Sequence, residues 1–516
     1  MTNWILVVDF GSQVTQLIAR RIREQKVYCE IIPFHQLTAK LLNDKNPSGI
    51  ILSGGPASVT KPKAPSIPKE IFYANIPILG ICYGMQLISK EFGGTVTKVS
   101  GREYGETTIQ VTKPCSVNPD NWNVNSKQIV WMSHGDSLTH VPKDFVSFAK
   151  STPHNHVGIA NENYKIFGLQ FHPEVFHTRD GAAIIQKFLT NVCQCKPAWN
   201  METFKDDTIH SLRKKIHNQK VLCARSGGVD SSVTALLLHQ AIGSQLHCVF
   251  VDHGLLRKNE RKEICNFFEN QENFHFVCID ASKQFLQVLK GIVDPEIKRK
   301  RIGAEFIKVF EEEAKKYNDL KLLAQGTLYP DVIESRSAFG GPSVTIKSHH
   351  NVGGLPKKMN LELVEPLNSL FKDEVRVLGK ELGVPDNIRN RHPFPGPGLA
   401  IRILGEVTED RLNILREADK IYIDLLKQEN LYEKIWQAFS VLLPIKTVGV
   451  MGDSRTYENV CALRAVTSTD GMTADYYPFN QNFLKKVSNA IINQVEGINR
   501  VVYDTTSKPP GTIEWE

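Results

Sequence analysis

The 516 residues contain no apolar run long enough to span a bilayer, and no charged-then-apolar leader comes before the strand-like segment that opens at Trp4. Those two absences predict a cytoplasmic chain with no membrane partner. Strong charge is missing as well. A net charge of +7 is small for this length, and there is no Lys/Arg block or aromatic-basic stripe, so no nucleic-acid partner is expected. An anionic small substrate remains compatible. The ten cysteines are scattered, several inside apolar runs such as Leu222-Cys223-Ala224 and Phe276-Val277-Cys278-Ile279, which reads as buried thiols and not as a disulfide framework. Cys193-Gln194-Cys195 lacks the second pair a zinc site needs. What remains, 41% hydrophobic and 23% charged, is ordinary globular composition in a chain too long for one core.

The stretch that organises the chain is Ala224-Arg225-Ser226-Gly227-Gly228-Val229-Asp230-Ser231-Ser232. Val221-Leu222-Cys223 before it reads as a short buried strand, and the apolar run from Val233 to Ile242 after it reads as a helix. Two glycines let the backbone approach an anion, and the first-turn N–H groups of a helix point at it. Ser226, Ser231 and Ser232 offer hydroxyls. No lysine sits where a Walker A loop places one. The string Ser226 to Ser232, with Gly227, Gly228, Val229 and Asp230 inside it, resembles the pyrophosphate loop of the ATP pyrophosphatases. That likeness implies ATP binding, with attack on the α-phosphorus and pyrophosphate as the leaving group. Arg225 departs from the pattern, since an apolar residue is expected at that strand end.

Upstream, strand-like segments at Trp4–Phe10, Ile50–Leu52 and Pro77–Leu79 alternate with helical ones, which predicts a parallel sheet covered on both faces. The third runs into Gly80-Ile81-Cys82-Tyr83-Gly84, the spacing of a nucleophile elbow. A cysteine nucleophile needs a base, because a free thiol near neutral pH is only a few per cent thiolate. His172-Pro173-Glu174 offers one, with the carboxylate two residues on and on the same side of an extended segment, able to fix the imidazole. Nucleophile, base and orienter are then all present. Taken alone, Cys82 reads as core filler and Glu174 as surface. Together, Gly80 to Gln86 and His172 to Glu174 resemble the class I glutamine amidotransferases over residues 1–198. The resemblance implies catalysis by Cys82, His172 and Glu174, an oxyanion held by backbone N–H groups at Gly55 and Tyr83, and a glutamine pocket lined by Gln86 and a Met132–Asp136 loop.

Residues 199–391 carry the pyrophosphate loop, with Asp331, and less firmly Glu334, as Mg²⁺ candidates and Lys372 as a candidate for ATP phosphate. Lys347, His349 and His350 in a Gly-ended stretch read as a lid. Three prolines and two glycines in His392–Leu399 mark a boundary, and 392–516 read as a small α+β domain. With the tail Lys508–Glu516, the whole chain resembles the glutamine-hydrolysing GMP synthetases. The expected fold is α/β: two doubly wound, mostly parallel-sheet domains, then a small α+β dimerisation domain. The resemblance further implies adenylation of XMP, displacement of AMP by ammonia, and XMP contacts at Arg299, Asp453, Lys508 and Glu514, with Gln437 a weaker candidate. It also implies Mg²⁺ with ATP, no tightly bound organic cofactor, and a homodimer formed through the last domain. The competing expectation is a pyrophosphate-loop ligase that adenylates a different acceptor. Arg336, where a small residue is expected, has no role in either.

Overall fold

The computed structural model describes residues 3–225, 227–317, 320–336, 361–451, 453–468 and 473–516. The lid stretch with Lys347, His349 and His350 lies outside them, as does Ser226. The side chains of Glu334 and Arg336 are outside them too. The described chain gathers into two compact units. The first holds residues up to Phe204 together with the helix Tyr329–Arg336, and the second holds Lys205–Leu328 and the described residues from 361 onward.

The first unit is built on nine strands: β1 (Trp4–Asp9), β2 (Tyr28–Pro33), β3 (Gly49–Leu52), β4 (Ile78–Ile81), β5 (Thr95–Val111), β6 (Lys127–His140), β7 (Val146–Ser151), β8 (Gly158–Asn161) and β9 (Ile166–Leu169). They lie in the order β2-β1-β3-β4-β9-β8-β7-β5-β6. From β2 to β9 the pairings are parallel, and β1 from Trp4 to Val8, β3 and β4 are apolar and buried, as in a sheet covered on both faces. Beyond β9 every pairing is antiparallel. The doubly wound core is as expected, and the sheet continues into an antiparallel half that the sequence reading did not place.

The second unit opens with β10 (Lys220–Arg225), β11 (Leu246–Asp252), β12 (His275–Asp280), β13 (Leu320–Ala324) and β14 (Glu362–Val364), all parallel in the order β12-β11-β10-β13-β14. A sheet of β15 (Gln437–Met451), β16 (Ser454–Thr467), β17 (Asp475–Tyr476) and β18 (Ile498–Tyr503) follows, covered by helices Glu409–Gln428 and Gln481–Gln494. One continuous core runs through both sheets, from Leu222, Val249 and Leu323 to Leu412, Leu463, Phe483 and Ile491. The Pro/Gly-rich stretch therefore breaks the regular structure without breaking the core.

Candidate active site

Cys82 sits at the tip of β4, where the strand turns directly into the helix Tyr83–Glu91, at φ +50° and ψ −101°. That left-handed backbone is unusual for a residue with a side chain and marks a site held under strain. The flanking glycines are there for space: a Cβ on Gly80 would lie 2.5 Å from the Gly84 carbonyl carbon, and one on Gly84 would lie 2.4 Å from the Leu52 carbonyl oxygen. Only glycine lets the elbow pack this close to β3. The Cys82 N–H donates to Leu169 O at 2.7 Å and Gly84 N–H to Ser53 O at 3.1 Å, which ties the turn to the two neighbouring strand ends.

His172 and Glu174 lie just past β9 in a turn that begins at Pro173, not in the extended segment the spacing suggested. They meet nonetheless: His172 Nδ1 and Glu174 Oε1 are 2.8 Å apart, and Glu174 is fully buried. His172 is further held by its N–H to Trp131 O at 3.0 Å and by the Thr178 hydroxyl on its carbonyl at 2.6 Å. Burial alone would push the imidazole pKa down. The Glu174 carboxylate and a hydrogen bond with Cys82 outweigh it, and His172 is raised well above the ordinary histidine value. The imidazole thus keeps its proton beside the Cys82 sulfur.

The Ser53-Gly54-Gly55 strand end closes this group. A Cβ on Gly54 would touch both His172 Cε1 and Cys82 Cβ. Neither the Gly55 nor the Tyr83 N–H has an acceptor among the described residues. Gln86 is buried in the elbow helix, where its amide donates to Asp136 O at 2.9 Å and to Gln170 Oε1 at 3.3 Å. The Met132–Asp136 stretch is not a loop but the middle of β6, and Ser133 O lies 3.7 Å from Cys82 Sγ. Gln170, which also donates toward Cys82 Sγ at 3.7 Å, was missed by the sequence reading. So was the buried trio Glu103, His134 and His154 behind β6, the one such His/carboxylate group with metal-ligand spacing among the described residues. Hydrogen bonding accounts for it: His134 Nε2 is 3.2 Å from Glu103 Oε2, and the Ser137 hydroxyl lies between the two histidines.

In the second unit β10 runs into Gly227 at φ +85° and then into the helix Val229–Ile242. The first-turn N–H groups of Val229, Asp230 and Ser231 have no acceptor among the described residues, the arrangement that makes a helix N-terminus an anion site. The hydroxyls of Ser231 and Ser232 donate to Gly228 O, at 3.1 and 2.7 Å, so in this structure they brace the loop. Gly326, past the end of β13, comes so close that a Cβ there would stand 3.2 Å from the Asp230 carbonyl carbon. Lys372 pairs with Asp230 Oδ2, while Asp230 Oδ1 is buried without a partner among the described residues. Asp331 lies on the helix grouped with the first unit.

The tail is pinned to the same unit. Arg402, fully buried, holds Glu514 through Nε at 3.1 Å and Nη2 at 2.8 Å, and Gln437 donates to the same carboxylate at 2.6 Å. Arg299 donates to the Glu516 carbonyl and Lys298 to its carboxylate. Arg299, Gln437 and Glu514 are therefore all joined to the tail. Lys508 is bridged through its backbone to Ala474, and Asp453 is exposed on the turn after β15. Arg402 and Lys298 carry no sequence signal that separates them from surface cations.

Residues 6–192 match the family described as Glutamine amidotransferase class-I, 424–515 the GMP synthase C terminal domain, and 219–290 the tRNA methyl transferase HUP domain. Curated relatives extend over nearly the whole chain. The GMP synthase [glutamine-hydrolyzing] of Rhodopseudomonas palustris (strain BisB18) is 57% identical over 512 residues, 99% of this chain and 96% of that protein. Proteins of the same name from Nitrobacter hamburgensis and Rhizobium rhizogenes are 57% and 55% identical, again over 99% of this chain and over 96% and 98% of their own lengths.

Proposed function

The chain belongs to the glutamine-hydrolysing GMP synthase family, and from that premise we propose how its residues divide the work. Its activity is the glutamine-dependent amination of XMP to GMP, an ATP-driven carbon–nitrogen ligation. Residues 1–198 act as the glutaminase, 199–391 as the ATP pyrophosphatase and 392–516 as the nucleotide-contacting and dimerisation part. Cys82 gives its thiol proton to His172 and adds through sulfur to the glutamine side-chain amide carbon. His172 gives its proton to the departing ammonia, and Glu174 holds the imidazolium while that proton waits. The remaining thioester is hydrolysed to glutamate. The Gly55 and Tyr83 N–H groups, free to donate, stabilise the oxyanion, a task worth about 3 kcal/mol per donor.

The loop Ser226–Ser232 takes the β- and γ-phosphates, with Lys372 moving from Asp230 to the phosphate. Mg²⁺ suits the site because Asp230 Oδ1 is a buried, unpartnered carboxylate oxygen of the kind a hard cation prefers. When bound, Mg²⁺ would neutralise phosphate charge there. Arg299, Asp453, Lys508 and Glu514 contact XMP, with Gln437 beside Glu514. Exposed Val448, Val450 and Tyr457 on β15 and β16, where Val448 sits opposite Tyr457, support a homodimer through this sheet. No described helix is long and apolar enough to cross a membrane, and we place the enzyme in the cytoplasm.

The observation that carries the reading is one chain holding the Cys82–His172–Glu174 relay on one sheet and the Gly227–Ser232 loop on another. The test measures GMP and AMP from Mg-ATP and XMP with glutamine or ammonium. Cys82→Ala should abolish synthesis from glutamine and keep synthesis from ammonium. Loss of both would sink the division of labour.

A further inference from the structure

Beneath the pyrophosphate loop lies a cation with no carboxylate partner among the described residues. Arg225 ends β10, is fully buried, and lies against Phe268 with its guanidinium carbon 3.6 Å from the ring centroid. Its Nη2 donates to Ser232 Oγ at 2.6 Å, while Nε and Nη1 have no partner among the described residues. No carboxylate among the described residues forms an ion pair with it. After burial itself, the groups that act on it are the thiols of Cys248, Cys223 and Cys265, which favour its charge, and Arg391, which opposes it and whose own guanidinium is taken by Glu260 and Glu263. Burial draws the Arg225 pKa down to about 10, which still leaves it a cation at neutral pH. Buried charges are otherwise paired, because an uncompensated one is costly.

What lies directly in front of this cation explains it. The loop is built to hold a ligand with several negative charges, and it lacks the lysine that a Walker A loop carries. The connection is physical as well. The single hydroxyl proton of Ser232 goes to Gly228 O, so its lone pair accepts from Arg225, and a hydrogen-bonded chain runs from the guanidinium through Ser232 to the loop backbone.

We infer that Arg225 is a positioning residue for the polyphosphate of ATP: no carboxylate among the described residues pairs with it, pyrophosphate in the loop would supply that anion, and its bond to Ser232 fixes the loop that receives it. This rests on the loop being the pyrophosphate site. A residue there merely for packing would stabilise the ligand-free protein. A cation waiting for its counter-charge does the opposite, so stability and binding should separate.

The experiment uses the full chain and inorganic pyrophosphate with Mg²⁺. Arg225→Met should melt at or above the wild-type temperature without ligand, bind pyrophosphate roughly ten- to a hundredfold more weakly, and raise KM for ATP by a similar factor with little change in kcat. Arg225→Lys, which keeps the charge but not the fork, should recover part of the binding. Glutaminase activity should not move. Met binding pyrophosphate as tightly as wild type would overturn the inference, as would a Met variant destabilised without ligand yet unchanged in binding. If Met fails to fold, Arg225→Lys and Ser232→Ala decide, and unchanged pyrophosphate binding in both overturns it. A wild-type chain that does not bind pyrophosphate would instead bring down the reading of the loop itself.

Discussion

Replacing Glu174 with Gln removes one charge from the glutaminase relay and leaves the volume almost unchanged. The carboxylate it removes is fully buried and 2.8 Å from His172 Nδ1. Burial lowers the imidazole pKa, and it is Glu174, with the Cys82 hydrogen bond, that holds His172 well above its ordinary value. A hydrogen bond to a charged group contributes about 1.5–3 kcal/mol, and at about 1.36 kcal/mol per decade its loss should slow glutamine-dependent synthesis roughly ten- to 150-fold. The pH profile should move with a definite sign. A raised native pKa keeps the imidazolium to higher pH, so the variant, whose His172 gives up its proton earlier, should lose the alkaline end of its glutamine-dependent activity. Stability follows the same linkage. The contribution of the pair is fully present below the unfolded imidazole value and is lost as pH rises through the raised native one, so the variant's deficit should be largest on the acid side. The assay is GMP formation across pH from glutamine and, in parallel, from ammonium, which should not respond. A variant with wild-type glutamine turnover and an unmoved alkaline limb would refute the role given to Glu174.

Gly84→Ala forces a Cβ to 2.4 Å from the Leu52 carbonyl oxygen, a backbone atom that cannot swing aside, so it should cost about 1–3 kcal/mol and displace Cys82; chemical denaturation and glutaminase assays check both. Wild-type stability would show that the elbow has slack. Glu514→Gln leaves Arg402 buried without its charge partner and should destabilise the second unit by up to about 3–5 kcal/mol, read as a lower melting temperature of the ligand-free protein. An unchanged melt would mean that the tail's other anchors, Lys298, Arg299 and Arg464 among them, hold it without this pair.

The grouping of Cys82 with His172 and Glu174 was legible because each member announces itself through a local constraint. Gly80 and Gly84 are glycine for want of space, and that requirement shows in sequence as Gly-x-Cys-x-Gly. The pairing of His172 with Glu174 was also legible, though for a different reason than expected: a turn at Pro173, and not an extended strand, brings them together. The wall opposite was not legible. Ser133, Glu103 and His134 are brought in by the antiparallel pairing of β5 with β6, in a register that shifts more than once, and Gln170, just past β9, carries no local mark of its own. Nothing local in Met132–Asp136 distinguishes a strand from the loop it was taken for.

In the second unit the same contrast falls on the charges. The loop was recognisable from its glycines, and Gly227 at φ +85° does need to be one. Whether a cation is paired, however, is a property of the packed protein, and composition counts Arg225, Arg402 and Lys298 alike. The structure separates them: Arg402 has the Glu514 carboxylate and Lys298 has that of Glu516, whereas Arg225 has a serine hydroxyl and an aromatic face. Two of these buried cations are satisfied by the chain's own tail, so the C-terminus is as much a part of this unit's electrostatics as its sheets are. The third meets no carboxylate among the described residues. Since it stands under the one loop built to receive a polyanion, its missing partner and the loop's ligand are most economically the same molecule.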